Sequence, residues 1–366
     1  MSRCIILAGG YATRLRPLTL TKPKPLLPIL GKPLIEWIID LLVSANIKEI
    51  VLSVRYLSNM FKEKYGNIDR GIEIKFVEET KPLGDAGPLR LIDEVIGLDS
   101  TFVVVYGDVF SDVDIAKVIE FHKKCGGIAT LTLVSVEDPS RYGVAVLDDS
   151  QRIVRFVEKP RREEAPSNLA NAGIYVFEPE VLKYIPSDRA SKLAKDVIPK
   201  LIEHGDVYGY IHTGIWNDIG VPQDYMKANF DALRKFYPNG FIDPSASIDD
   251  SVEIVQPVYI SKNVVIERDA KVGPYTVLGN NVVIRGGSRV CNSVVFDGTV
   301  IDCHSYIEGA IIGERSYIGR WVRIESGCVL GDQVAVSDEV YLAKGVVVLP
   351  FKEVEISVYE SGKVIL

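Results

Sequence analysis

Cysteine, histidine, methionine and tryptophan are all sparse in this chain: five Cys, four His, three Met and three Trp among 366 residues. The cysteines (Cys4, Cys125, Cys291, Cys303 and Cys328) are odd in number, widely spaced and include no Cys-x-x-Cys, so neither a disulfide framework nor a structural zinc site is indicated. They read as reduced, mostly buried small residues. The histidines, at positions 122, 204, 212 and 304, fall in no motif, and each reads as structural or solvated. Long basic runs are missing as well. None exceeds Lys123-Lys124 or Arg161-Arg162, and the net charge is −7, so the chain lacks the electrostatic footprint that nucleic acid requires. An anionic ligand must then be met by a local site. No apolar stretch reaches the roughly 18 residues of a spanning helix, and the run from Cys4 to Ala8 is too short for a secretory core. A cytosolic chain without a membrane partner is expected.

What is present is an ordinary globular composition, 25% charged and 47% hydrophobic. The length exceeds what one hydrophobic core supports, so two compact units are expected. From residue 3 to about 230, short β-branched runs alternate with helical patterns, the mark of an α/β domain built on a largely parallel sheet. Residues 4–7, 50–54, 72–77, 102–106 and 129–136 read as strands. Leu34, Ile35, Trp37, Ile38, Leu41 and Leu42 recur at helical spacing. So do Ile115, Val118, Ile119 and His122, behind the candidate N-caps Asp112 and Asp114 and ahead of the stops Gly126 and Gly127.

From residue 242 the period becomes six. Ile242, Ile248, Ile254, Ile260, Ile266, Val272, Leu278, Ile284 and Val290 follow one another at that spacing, and Ile312, Ile318, Ile324, Leu330, Val336, Leu342 and Val348 resume it. Each six-residue side of a triangular coil would send one aliphatic inward, so stacked coils bury a continuous apolar column. The pattern predicts a left-handed parallel β-helix over residues 242–350. It would have about six coils, roughly 29 Å at 4.8 Å per rung, with a bulged coil or small loop between Val290 and Ile312. Open ends and flat faces carrying Val265, Val283, Val294 and Val295 lead to the expectation of a homo-oligomer assembled in part through this region. Residues 233–241, containing Pro238-Asn239-Gly240, read as a linker. Residues 351–366 read as a tail ending in a strand pair around Ser361-Gly362.

Directly after the first strand comes Leu7-Ala8-Gly9-Gly10-Tyr11-Ala12-Thr13-Arg14-Leu15-Arg16-Pro17-Leu18-Thr19, closing with Lys22-Pro23-Lys24-Pro25. A Gly-rich turn at the carboxyl end of a strand exposes backbone N–H groups where open α/β sheets bind phosphates, and this one adds four cations. It is neither the GxxxxGK(S/T) loop nor the GxGxxG fingerprint. A solvated basic loop would account for Arg16 and Lys22, but not for the glycines or the prolines that pin the segment.

This segment resembles the signature of the sugar-1-phosphate nucleotidylyltransferases, the nucleoside diphosphate-sugar pyrophosphorylases. The likeness continues in order through Glu78-Glu79-Thr80-Lys81-Pro82-Leu83-Gly84-Asp85-Ala86-Gly87, Tyr106-Gly107-Asp108, Tyr142-Gly143-Val144, Val157-Glu158-Lys159-Pro160, Asn171-Ala172-Gly173 and Trp216-Asn217-Asp218-Ile219-Gly220. With the hexapeptide region it spans essentially the whole chain. Within the family the chain is most similar to the branch that transfers a guanylyl group from GTP to mannose 1-phosphate. That likeness rests on Gly10-Tyr11, on residues 82–89 and on the ending Val348-Leu349-Pro350 with Gly362-Lys363-Val364-Ile365-Leu366.

The resemblance implies a Rossmann-like nucleotidyltransferase domain over residues 1–232 and an in-line displacement at the α-phosphorus of a nucleoside triphosphate. A sugar 1-phosphate is already anionic at neutral pH, so no general base or Ser, Cys or His nucleophile is needed. The implied nucleotide-binding positions are Leu7, Ala8, Gly9, Gly10, Thr13, Arg14, Glu79 and Gly84. Arg14, Lys24 and Asp108 are the implied catalytic residues. Gly143, Glu158, Lys159, Asn171 and Gly173 would form the sugar phosphate site. Asp108, leaving an apolar strand, and Asp218, in a turn opened by Trp216, would hold Mg2+. Glu79 stands where thymidylyl- and uridylyl-transferring relatives carry Gln. A carboxylate is acceptor-only and suits the paired donors of guanine; the alternative is that Glu79 faces solvent and backbone near Gly84 reads the base.

Two positions depart from the family pattern. Ala12 stands where Gly is usual, at a cost of about 1–2 kcal/mol if the backbone there is left-handed. Asp85 stands where Thr is usual, and would either repel phosphate or face solvent. For Lys195-Asp196 a site role and a helix-surface pair are equally open. Three other functions compete: a glucose-1-phosphate thymidylyl- or uridylyltransferase of the same family, a catalytically silent regulatory subunit of the same architecture, against which the intact motif residues weigh, and acyl transfer by the β-helix, for which His304 is its one histidine.

Overall fold

In the computed structural model, residues 3–66 and 71–366 are described. Uninterrupted Ile and Val runs form the strands of the first half, where both sheet faces are covered and little alternation is needed. In chain order these are β1 (Arg3–Leu7), the short antiparallel pair β2 (Pro28–Ile29) and β3 (Lys32–Pro33), α1 (Leu34–Ser44), β4 (Glu49–Val54), α2 (Ser58–Tyr65), β5 (Glu73–Glu78) and α3 (Gly87–Ile96). Then follow β6 (Phe102–Tyr106), β7 (Val109–Ser111), α4 (Ile115–Cys125), β8 (Ala129–Ser135), β9 (Gly143–Leu147), β10 (Ile153–Glu158) and β11 (Leu169–Phe177). The half closes with α5 (Ile198–His204), β12 (Val207–His212), β13 (Trp216–Asp218) and α6 (Pro222–Phe236).

The main sheet runs β10-β9-β11-β6-β1-β4-β5, with β8 joining β11 to β12. β1 pairs parallel with β4 and β6, β4 with β5, and β8 with β12, while β11 runs antiparallel to β6, β8 and β9. This is the mostly parallel, Rossmann-like sheet expected. Ile5, Val51, Phe102, Val104, Leu131, Tyr175 and Phe177 are fully buried in its core, each such side chain contributing about 1.5–3 kcal/mol. Asp114 caps α4 by accepting from Lys117 N at 3.1 Å, and Gly126 ends it in the left-handed conformation (φ 70°). Asp112 does not cap; its Oδ1 lies 3.0 Å from His212 Nε2. Trp216-Asn217-Asp218 is not a turn but a strand, antiparallel to β7 with Asp218 opposite Val109.

The chain clusters into two spatial units. One holds the chain up to Gly10 together with Ile35–Asp218, the other Tyr11–Leu34 together with Ile219–Leu366. In the second, three parallel sheets of eight, seven and six two- or three-residue strands stack as the sides of a parallel β-helix. The inward column is buried from Ile260 to Val348. Ile242, at the open first rung, is exposed instead, because no coil lies beneath it.

The irregular stretch is neither a loop nor a bulged coil. Most rungs are 18 residues apart, as in Ile260 with Leu278, but Val277 pairs with Val294 and Val290 with Ile307, 17 apart. One side of each of two coils is therefore five residues long. Val295, Ile301 and Ile307 carry the column through with no exposure above 1%. Val294 and Val295 are accordingly buried rather than on a flat outer face. The tail likewise forms no strand pair of its own: Glu353–Val354 adds to Ala335–Val336, and Val364–Ile365 to Val347–Val348. Eight strands in the longest sheet, counted at the same 4.8 Å per rung, give a stack of roughly 38 Å, longer than the period alone indicated.

Candidate active site

In the first unit the turn after β1 is held open from both sides. Gly107 N donates to Leu7 O at 2.9 Å, Ala8 N to Ser53 O at 2.8 Å, and Arg55 Nε to Gly9 O at 3.2 Å. Glu79 fills the space that Gly9 leaves: a Cβ at position 9 would stand 2.4 Å from Glu79 Oε1 and force that carboxylate to move. Glu79 is only 6% exposed, so it does not face solvent. Its Oε1 accepts from Ser53 Oγ at 2.8 Å, and the amide of Leu83 also donates to the carboxylate. Burial raises the pKa of Glu79, opposed by the Ser53 hydroxyl, Arg55 and the Leu83 amide.

From Glu79 the chain enters the 82–87 segment, which is clamped by a residue that sequence periodicity gives no reason to select. Ser191 N donates to Leu83 O at 2.9 Å and Ala86 N to Ser191 O at 3.1 Å. Gly84 sits between them at φ 81°, where a Cβ would come within 2.0 Å of Ser191 O.

Asp85 is only partly exposed and is engaged within the protein. Its carboxylate turns inward, accepting from Leu193 N at 2.5 Å and from the Tyr106 hydroxyl at 3.1 Å, and burial raises its pKa. Tyr106 is hydrogen-bonded in turn to Tyr175, and Asn171 Nδ2 donates to the Tyr175 hydroxyl at 2.7 Å. Each phenol has one proton to give, so the row runs in one direction, Asn171 to Tyr175 to Tyr106 to Asp85. This leaves Asn171 Oδ1 to accept from Gly173 N at 3.2 Å. The β11 ladder with β8 shifts register between Asn171, opposite Leu133, and Tyr175, opposite Leu131, so Gly173 falls in the bulged stretch directly after Asn171.

Glu158 ends β10 directly opposite Gly143 on β9. Its pKa is raised, chiefly by partial burial, with Lys159 opposing and Asp85 adding to the rise. Lys159 holds a left-handed backbone (φ 48°) while its N–H donates to Tyr142 O, the kind of strain that collects at working sites. Trp216 Nε1 donates to Ala172 O at 2.9 Å, and its ring meets Tyr142 edge-on at 5.2 Å. The β7–β13 pairing then sets Asp218 across from Val109, immediately after Asp108, with both aspartates half-buried.

The remaining implied residues, Thr13, Arg14 and Lys24, belong to the second unit. Thr13–Leu15 and Lys24–Leu26 are single 3-10 turns, the first entered through Ala12 at φ 48°. Ala12 is thus left-handed, and its carbonyl accepts from Thr19 Oγ1 at 2.9 Å. The Arg14 guanidinium lies beside Gly220, two residues beyond Asp218 in the chain, and Lys24 is 8% exposed. Asp196, for its part, caps a local turn through Lys192 N (2.8 Å) and Arg189 (3.1 Å).

The donors fit a hard, oxygen-seeking divalent ion. Asp108 and Asp218 are carboxylates brought to one end of a two-stranded ribbon, and Mg2+ characteristically takes one or two carboxylates while substrate phosphates and waters fill the rest. Among the described residues no group of three or more His, Cys, Asp or Glu forms a closed metal cage. His122 is committed elsewhere, to Thr130 (2.9 Å) and Glu178 (3.0 Å), and exposed His304 stacks on Trp321 at 4.4 Å. Among the described residues no helix is long and apolar enough to cross a membrane.

A Gly-rich turn at the head of a mostly parallel sheet, two aspartates on an adjoining ribbon and a β-helix in the same chain define a nucleotidyltransferase. The chain belongs to the nucleotidyl transferase family, whose profile matches residues 3–235, and residues 254–365 match the GMPPB C-terminal domain. A relative in Sulfolobus acidocaldarius, named as a mannose-1-phosphate guanyltransferase, is 41% identical over the full length of both chains. Mannose-1-phosphate guanylyltransferase 1 of Arabidopsis thaliana is 36% identical, covering 96% of this chain and 97% of its own. Among solved structures, HddC of Yersinia pseudotuberculosis complexed with GMP-PN is similar over 63% of this chain and 98% of that one, with TM-score 0.53 and 28% identity.

Proposed function

We propose that this enzyme transfers a guanylyl group from GTP to mannose 1-phosphate. A phosphate oxygen of the sugar phosphate forms a bond to the α-phosphorus, the bond from that phosphorus to the bridging oxygen of pyrophosphate breaks, and GDP-mannose and pyrophosphate result. The observation that carries the guanine assignment is Glu79, a buried carboxylate under the Gly9 turn rather than on the surface. Two acceptor oxygens match the N1–H and N2 amine of guanine, whereas a pyrimidine would set carbonyl against carboxylate.

In this reading the backbone of residues 7–10 and Gly84 approach the nucleotide, with Thr13 beside them. Arg14 and Lys24 hold the triphosphate against charge repulsion. Glu158 and Asn171 accept from sugar hydroxyls, Lys159 meets the sugar phosphate, and Gly143 and Gly173 leave room for the hexose. Asp108 and Asp218 would hold Mg2+, which when bound neutralises phosphate charge as the displacement proceeds. Exposed Phe351, Ile356 and Tyr359 on the last rungs support assembly of copies through the β-helix.

The test measures pyrophosphate release for GTP, ATP, UTP and dTTP, each against mannose 1-phosphate, glucose 1-phosphate and galactose 1-phosphate. The expected result is a kcat/KM for GTP with mannose 1-phosphate that exceeds every other pair. Preference for UTP or dTTP overturns the guanylyl assignment, and no turnover with any pair overturns the catalytic reading.

A further inference from the structure

Lys22 has no part in the chemistry above, yet it is one of the most enclosed cations of the second unit, at 6% exposure. An ammonium tolerates such a place only when it is paired. Its Nζ bonds Glu314 Oε1, lies 3.4 Å from Asp332 Oδ2 and stands 5.3 Å from the centroid of the Phe296 ring. Asp332 is equally enclosed and fully engaged. It accepts from Thr21 Oγ1 at 2.6 Å and from Glu314 N at 2.8 Å. Phe296, Glu314 and Asp332 follow the strands Val294–Val295, Ile311–Ile312 and Val329–Leu330, three successive rungs of one side of the β-helix.

The same segment is gripped a second time six residues on. The Tyr225 hydroxyl donates to Pro28 O, Leu30 N donates to Asn229 Oδ1 at 3.0 Å, and the Tyr225 ring meets Phe296 edge-on at 6.0 Å. Between the two grips lies the turn Lys24–Leu26, closed by Leu27 N donating to Lys24 O at 3.0 Å. Phosphate binding by Lys22 itself is excluded by this arrangement, because its ammonium is already spent on two carboxylates. Nor is a buried ion pair an efficient device for stability alone, since an apolar contact of the same shape serves as well or better. What a pair with matched hydrogen bonds adds is one defined position of the chain.

We propose that Lys22 is a positioning residue, gripped by Glu314 and Asp332 so that the β-helix sets where Arg14 and Lys24 stand for the nucleotide. The proposal rests on the nucleotide role assigned above to those two cations. It makes the β-helix part of the transfer machinery, through side chains that act by holding the 11–34 segment.

The test uses the full chain with Lys22→Met, Asp332→Asn and Lys22→Arg. Kinetics with GTP and mannose 1-phosphate are read beside amide hydrogen exchange and thermal melting. Lys22→Met and Asp332→Asn are expected to lower kcat/KM for GTP at least tenfold with KM for mannose 1-phosphate within twofold of the parent. Exchange at Leu26 and Leu27 should accelerate while that of β1 and β6 stays unchanged, and Lys22→Arg should recover most of the activity. Unchanged exchange in the 18–30 segment overturns the grip. A loss of turnover that merely tracks the loss of folded protein, with KM for GTP untouched, overturns its role in transfer. Exchange is read without substrate, so failure of the parent to use GTP would defeat the functional reading while the grip is still decided.

Discussion

Replacing Glu79 with Gln should change base recognition, if the proposed role holds, while leaving the surroundings of the side chain intact. The isosteric amide keeps one oxygen, enough to go on accepting from Ser53 Oγ, 2.8 Å away in the parent, and from the Leu83 amide. It loses the second acceptor that a guanine needs for its adjacent N1–H and N2 donors. A hydrogen bond to a charged group is worth about 1.5–3 kcal/mol, and tenfold in an equilibrium is about 1.4 kcal/mol. The kcat/KM for GTP should fall about 10- to 150-fold. For UTP and dTTP the amide donor replaces a lone pair that faced a carbonyl, so their kcat/KM should rise. Steady-state pyrophosphate release with the three nucleotides measures both. A second readout needs no substrate. Burial raises the Glu79 pKa above its ordinary 4.5, so the folded state binds the proton more tightly than the unfolded one. Its contribution to stability is therefore full below about pH 4.5 and lost as pH rises through the raised value. Gln carries no such loss, so the variant should melt above the parent at pH 7, with the gap closing as the solution is acidified. A GTP to UTP ratio unmoved by the substitution would refute the base-reading role, and a melting advantage that ignores pH would refute the burial argument.

Asp108→Ala and Asp218→Ala should each lower turnover more than about a hundredfold with little change in melting temperature; near-parental turnover at saturating Mg2+ would remove either from the metal site. Ala12→Gly relieves left-handed strain of about 1–2 kcal/mol and returns part of it as unfolded-chain entropy of about 0.4–1 kcal/mol. The net gain of about 0.5–1 kcal/mol should show as a higher urea midpoint with unchanged slope. Asp85→Asn puts an amide donor where Tyr106 and Leu193 both donate, which breaks the direction of the Asn171 row. At about 1 kcal/mol per mismatched hydrogen bond, KM for mannose 1-phosphate should rise about fivefold while KM for GTP holds.

The fold was legible where burial leaves a period in the chain. One aliphatic per six residues follows from three flat sides around a column one side chain wide, and Ile260 through Val290 and Ile312 through Val348 keep it. The stretch between them broke the period only because two coils each dropped one residue from one side. The parallel pairing and the inward Val295, Ile301 and Ile307 survive the change. A one-residue shortening shifts the register of the pattern without interrupting the structure, so a search for strict sixes reads it as a gap. The Trp216–Asp218 strand was missed for a related reason. Three residues are too few to show alternation, and their partner β7 is equally short.

Side-chain commitments inside the site were far less legible, and Asp85 and Lys22 show why. Each is a charge in a motif where ligand-binding residues were expected, and by residue type alone either could face a phosphate. What decides them is the neighbour brought from far along the chain: Leu193 N for Asp85, 108 residues away, and Glu314 and Asp332 for Lys22, about 300 residues away. Local spacing carries no trace of such partners, because a hydrogen bond constrains two atoms and leaves the residues around them free. Glu79 lies between the extremes. Its place after β5 was readable, but its inward direction follows from Ser53 on β4 and from a glycine at position 9 that leaves the space it occupies. The electrostatic logic of the site is thus written mostly in long-range pairs. Substitutions that keep size and change only donor and acceptor character, such as Glu79→Gln and Asp85→Asn, probe it more sharply than truncations to Ala, which change packing at the same time.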